Sequence, residues 1–195
     1  MKKLIKAALI VFCAWLPSNA LAVPVTDLLG DKDCFGTGGA CVEDGVTWLP
    51  GAWGSETATA SDPLFTDRVI NTSATQSWTH TVAAGSYSSA SVVIRTAGIA
   101  DIRGPYGVFV DGILAGSIPF DASLGHILVE TFTFGFDPTL LSDGSALVSF
   151  TPDVADSWAI DYSELTAMSV PEPATLALLG AGLAGLGFSR KKKSA

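Results

Sequence analysis

Asp31 and Asp33 stand at alternate positions of a glycine-rich stretch, with Glu43 and Asp44 shortly after them. A calcium ion takes six to eight hard oxygens, and carboxylates plus backbone carbonyls of such a loop supply them. The spacing is not that of an EF-hand, because Phe35 stands where a third side-chain oxygen belongs. The same stretch carries Cys34 and Cys41 around the short segment FGTGGA. In an oxidising compartment this pair predicts a disulfide, the alternative being two free thiols. A zinc site is a poor reading, since the histidines, His80 and His126, are distant in sequence. Trp48 and Trp53, beside Pro50, Gly51 and Gly54, could present flat rings to the apolar face of a pyranose; the competing reading is core packing.

Nucleophilic catalysis needs a Ser or Cys beside a base, and no G-x-S-x-G or H-E-x-x-H spacing occurs. His80 alternates with Trp78 and Val82, which predicts a half-buried strand residue that binds nothing. With so many acids some carboxylate pair is inevitable, so a glycosidase reading has no specificity. A protein that is not an enzyme is expected.

Those groups sit in an acidic body. Of eleven basic residues, Lys2, Lys3 and Lys6 lie at the start and Arg190 to Lys193 at the end, which leaves four between residues 23 and 170. Of nineteen acids only Glu172 lies outside that stretch, so eighteen remain and its formal charge is −14. Such a body repels nucleic acid and tolerates divalent cations. With 48% hydrophobic and 15% charged residues, the chain is not a disordered tail. Its 195 residues suit one ordinary domain.

The two ends read as addresses. Residues 1–22 combine a basic start, the apolar run AALIVFCAWL and small residues at Ala20 and Ala22, the pattern of a signal peptide cleaved before Val23. At the other end Val170-Pro171-Glu172-Pro173 is extended, since each proline fixes its own φ and restricts its predecessor. Ala174 to Phe188 carries no charge, and Arg190-Lys191-Lys192-Lys193 follows. Fifteen helical residues rise about 22 Å, so spanning a core of about 30 Å requires the basic side chains to snorkel. The terminal basic cluster predicts a cytoplasmic end and places the body on the outer side.

Pro171-Glu172-Pro173, a short glycine- and leucine-rich apolar stretch and the basic terminus Arg190 to Lys193 together resemble the PEP-CTERM sorting signal of exported Gram-negative proteins. The resemblance covers residues 170–193. It implies handling by an exosortase and the export machinery, with transient anchoring in the inner membrane before release to the cell surface or medium. It further implies association with exopolysaccharide or a biofilm-type matrix.

The body between the ends, residues 23–169, follows a period of two. Strands are expected over Gln76–Ala83, Ala90–Thr96, Tyr106–Leu114, Leu128–Phe136, Ala146–Phe150 and Ser157–Thr166, with Asp111-Gly112 as a hairpin turn. Phe132, Phe134 and Phe136 should share a face, as should Trp158, Ile160 and Tyr162. The early stretch, residues 23–65, reads as loops with about two edge strands. The fold expected is all-β, an antiparallel β-sandwich of jelly-roll type, flanked by the signal peptide over 1–22 and by a sorting signal over 170–195 that contains a single C-terminal transmembrane helix.

Gly30-Asp31-Lys32-Asp33, Val110-Asp111-Gly112 and Ala159-Ile160-Asp161-Tyr162-Ser163-Glu164-Leu165 also resemble galactose-binding-like sandwiches found as the central domain of PEP-CTERM proteins. That resemblance implies a structural calcium linking an early loop to the last strand, with Asp33, Asp161 and Glu164 converging; with Asp31 of the loop these are the candidate calcium ligands. The function expected is an exported, non-enzymatic matrix protein, the alternative being a carbohydrate-binding module using Trp48 and Trp53.

Overall fold

A computed structural model describes residues 22–33, 35, 44, 66, 70–99, 104–120, 129–152, 157–170, 180, 182 and 183. Cys34, Cys41, Trp48, Trp53, Pro171 to Pro173, Arg190 to Lys193 and nearly all of the expected signal peptide lie outside the described residues. Residues 180, 182 and 183 are helical, and among the described residues no helix is long and apolar enough to cross a membrane.

Residues Pro24–Ser169 form one compact unit, whose described residues make nine strands and a short 3₁₀ helix, Pro138–Asp143. The strands are β1 (Pro24–Gly30), β2 (Ile70–Asn71), β3 (Gln76–Thr81), β4 (Tyr87–Ala97), β5 (Tyr106–Val110), β6 (Ile113–Ile118), β7 (Val129–Phe136), β8 (Ser145–Phe150) and β9 (Ser157–Ser169). The first sheet runs β1-β9-β4-β7, with β2 also paired to β9, and the second runs β3-β8-β5-β6. Every strand pair is antiparallel, so the chain builds a two-sheet all-β body as its period-two pattern requires.

The inner faces carry the apolar residues. Val92, Ile94 and Phe134 of the first sheet meet Val108, Val148 and Phe150 of the second in one core. Trp78 meets Phe150 edge-on at 5.9 Å, and Phe150 tilts against Trp158 at 5.3 Å. Each such fully buried side chain contributes roughly 1.5–3 kcal/mol of transfer free energy. The β5–β6 hairpin turns at Asp111 and Gly112, both left-handed at φ 49 and 78, as a two-residue turn matching the strand twist demands.

The early stretch, expected as loops with about two edge strands, supplies the edge strand β1, paired along its whole length with β9. One expectation needs correction. Trp158 and Ile160 do face the core, but Tyr162 does not: the inward set continues as Ser163, Leu165 and Ala167. The cause is a bulge. Tyr162 pairs with Arg95 and Ile160 with Thr96, leaving Asp161 as an extra residue that shifts the alternation.

Candidate functional site

The bulge aims Asp161 at the turn that follows β1. Gly30 ends β1 at φ 81, and a Cβ there would lie 2.4 Å from the Asp161 carbonyl oxygen and 2.8 Å from Thr66 Cγ2. Only glycine lets the chain turn this closely, which brings Asp31 and Asp33 beside Asp161. One carboxylate oxygen from each of the three lies within 4.8 Å of the others. Asp161 is fully buried, Asp33 intermediate and Asp31 exposed. Phe35, held left-handed at φ 62, donates its backbone N–H to Asp161 Oδ1 at 2.9 Å. Its ring is buried with Ala97, Val129 and Ala159 in a small second cluster. A bulky residue in that region costs about 1–3 kcal/mol, which the packing and the hydrogen bond offset.

The expected acids therefore divide. Asp31, Asp33 and Asp161 come together, whereas Glu164 accepts from Lys32 Nζ at 2.8 Å. Lys32 also lies 5.0 Å from the centre of the Tyr162 ring. Burial pushes the Tyr162 hydroxyl above its usual range. Arg95 brings positive charge from β4, its Nε 3.3 Å from Asp161 Oδ2. Arg95 Nη1 donates to Asp44 Oδ1 and to Thr131 Oγ1, both at 3.1 Å. Asp44 in turn takes the Thr131 N–H of edge strand β7 at 3.2 Å. Three convergent hard oxygens fit a divalent cation such as calcium, with Arg95 already balancing part of the charge.

A second polar constellation joins the two sheets and was missed by the pattern of the sequence. His80, expected as a half-buried strand residue that binds nothing, is fully buried in β3. Its Nδ1 lies 3.0 Å from Asp27 Oδ2 on β1, and its Nε2 lies 2.8 Å from Ser163 Oγ on β9. Trp78 Nε1 donates to the same Ser163 Oγ at 2.9 Å, and Asp27 Oδ2 accepts the Thr81 N–H at 2.8 Å. Burial lowers the His80 pKa below its ordinary 6.5 and outweighs the opposing pull of Asp27. The imidazole is therefore neutral near pH 7. The arrangement that satisfies every partner puts the proton on Nδ1, donating to Asp27, while the Ser163 hydroxyl donates to Nε2. This is the order of an acid–base–nucleophile triad, but Ser163 is fully buried between the sheets, so the same bonds act as a staple. His80 and Ser163 are 83 positions apart, a separation no local motif marks.

The described body ends at Ser169 of β9, and the proline-flanked acid, apolar stretch and basic terminus begin directly after it. Residues 169–191 carry a PEP-CTERM protein-sorting motif. The PEP-CTERM motif implies processing by an exosortase, and with it a secreted protein held transiently in the membrane before cleavage. No curated protein matches the chain. Among solved structures the chain is similar in part to a β-porphyranase of glycoside hydrolase family 86 from Bacteroides plebeius, at 17% identity and TM-score 0.42 over 54% of this chain. It is also similar in part to dimeric latent PorU from Porphyromonas gingivalis, at 12% identity and TM-score 0.45 over 76% of this chain. The match spans 20% of the first of those chains and 13% of the second.

Proposed function

We propose that this PEP-CTERM protein is a non-enzymatic component of an extracellular or surface matrix, delivered through the inner membrane and released there by an exosortase. The observation that carries the reading is the join between body and motif: β9 is complete at Ser169, and the motif spans 169–191. Removing the chain from Pro171 onward takes no residue from any strand of the described residues, which supports a body that persists after its tail is cut. The burial of Ser163 supports the non-enzymatic part, because a substrate carbonyl has no path to its Oγ. Asp31, Asp33 and Asp161 would hold a structural calcium in this body, tying the turn after β1 to the last strand. When bound, the ion would supply positive charge to three acids whose repulsion otherwise opposes closure of that turn.

Intact mass of the protein recovered from its native host, membrane and medium separately, tests the route. A species in the medium beginning at Val23 and ending within 170–173 is expected. A species that keeps residues 174–195 and stays in the membrane would overturn release and leave a permanent anchor.

A further inference from the structure

The strands of the second sheet contain no Asp, Glu, Lys or Arg: β3 reads QSWTHT, β5 YGVFV, β6 ILAGSI and β8 SALVSF. In a body of formal charge −14 these four strands are uncharged. Its inner side is the core already described. On its outer side three large apolar residues lie open on three neighbouring strands: Leu147 of β8 at 43% exposure, Phe109 of β5 at 37% and Leu114 of β6 at 62%. Phe109 pairs directly with Leu114 across the β5–β6 ladder. Leu147 stands one diagonal step away, since β8 places Ser149 opposite Phe109.

Glycine shapes this strip. A Cβ at Gly107 would meet the Phe109 ring at 2.9 Å and Leu114 Cδ1 at 3.2 Å. The ring therefore lies over Gly107, in space that any side chain there would fill, and stays partly exposed. Hydroxyl side chains flank it: Ser149 opposite Phe109, Ser117 opposite Gly107 and Thr79 opposite Leu147. Asp111 sits in the hairpin turn at the end of the strip, with Oδ1 accepting the Leu147 N–H at 2.9 Å.

We infer that this face binds a neutral polysaccharide, with Phe109 as the stacking platform and Leu114 and Leu147 as its ends. A pyranose presents an apolar C–H face and a rim of hydroxyls, which matches a lying aromatic ring bordered by Ser and Thr. Three strands at about 4.8 Å spacing make a strip on the order of 10 Å long, suited to a narrow linear chain. A stable protein partner needs about 800 Å² per side, far more than one ring and two leucines present. An anionic polymer gains nothing from strands that carry no cation and is repelled by the acidic body. The inference deepens the matrix reading by naming what the body holds, and it does not depend on tail cleavage.

Depletion of the mature protein by insoluble cellulose, insoluble β-1,3-glucan and chitin, with cross-linked alginate as the anionic control, tests it. Retention by at least one neutral polymer, unchanged by salt and absent on alginate, is expected. Phe109→Ala should weaken it about tenfold or more, and Leu147→Ser, at the end of the strip, by a smaller factor. Thermal melting of each variant separates lost binding from lost folding, and Leu147→Ser carries the test if Phe109→Ala does not fold. No retention on any of the three neutral polymers, equal retention on alginate, or retention unmoved by both substitutions would overturn the proposal. So would concentration-dependent self-association without polysaccharide that Phe109→Ala abolishes, since the face would then belong to a second copy. Intact mass reads tail processing independently, so the two readings fail separately.

Discussion

The two sheets of this body share a core but divide its chemistry. The first carries every charged residue found in a strand: Asp27, Arg95, Glu130, Asp161 and Glu164. The second carries none. Accordingly the outer side of the first sheet is tied by ion pairs, from Lys32 to Glu164 and from Arg95 to Asp44 and Asp161. The outer side of the second is left to hydroxyls and a lying ring. A strongly acidic composition thus need not mean an acidic surface everywhere, and the neutral part is visible only once strands are sorted into sheets.

The largest expected difference between the sheets lies in two glycines with nearly the same backbone angle. Gly30→Ala in the first sheet would drive a Cβ into the Asp161 carbonyl and Thr66 at φ 81, whereas Gly112→Ala in the second, at φ 78, meets nothing within 4 Å. Denaturant midpoints should show a loss of about 4 kcal/mol for the former and about 1 kcal/mol for the latter. Equal losses would mean that the turn after β1 is not the tight element described.

A smaller difference concerns calcium. The ion should raise the melting temperature, by about 2.7 kcal/mol of stabilisation at a hundred times its dissociation constant. Asp161→Asn should remove the gain, while Leu147→Ser on the neutral sheet should keep it. A melting temperature indifferent to calcium would mean that the three aspartates hold no ion.

The smallest effect belongs to the staple that joins the sheets. The His80 pKa is lowered in the folded state, so the unfolded chain takes up a proton first as pH falls. Stability is therefore full above about 6.5 and is lost below it, on the order of 1 kcal/mol per pH unit, until the folded histidine also protonates. Urea melts across pH 7.5 to 5 should show this slope. A slope unchanged in His80→Gln would assign it to other groups.

Much of this was legible in the residues. Alternation located six strands to within a few positions, and Asp111-Gly112 marked its hairpin, because both signals are local. Asp31, Asp33 and Asp161 were anticipated as a group, although Glu164 goes to Lys32 instead. What alternation could not supply was the bulge at Asp161, which changes the facing of every later residue in β9 without any distinctive sequence. Nor could it find Asp27, His80 and Ser163, whose meeting depends on how one sheet is laid on the other. The cysteine pair and the early tryptophans lie outside the described residues.

The position of β9 in its sheet has a mechanical consequence. The tail leaves from Ser169, the end of a strand gripped on one side by β1 and on the other by β4. Antiparallel hydrogen bonds run across the strands, so a pull along β9 strains many of them together in shear. Had the tail left from an edge strand pulled sideways, the same load would peel one bond after another. While the protein is tethered by its tail, force from outside therefore reaches the body through a strand held on both sides.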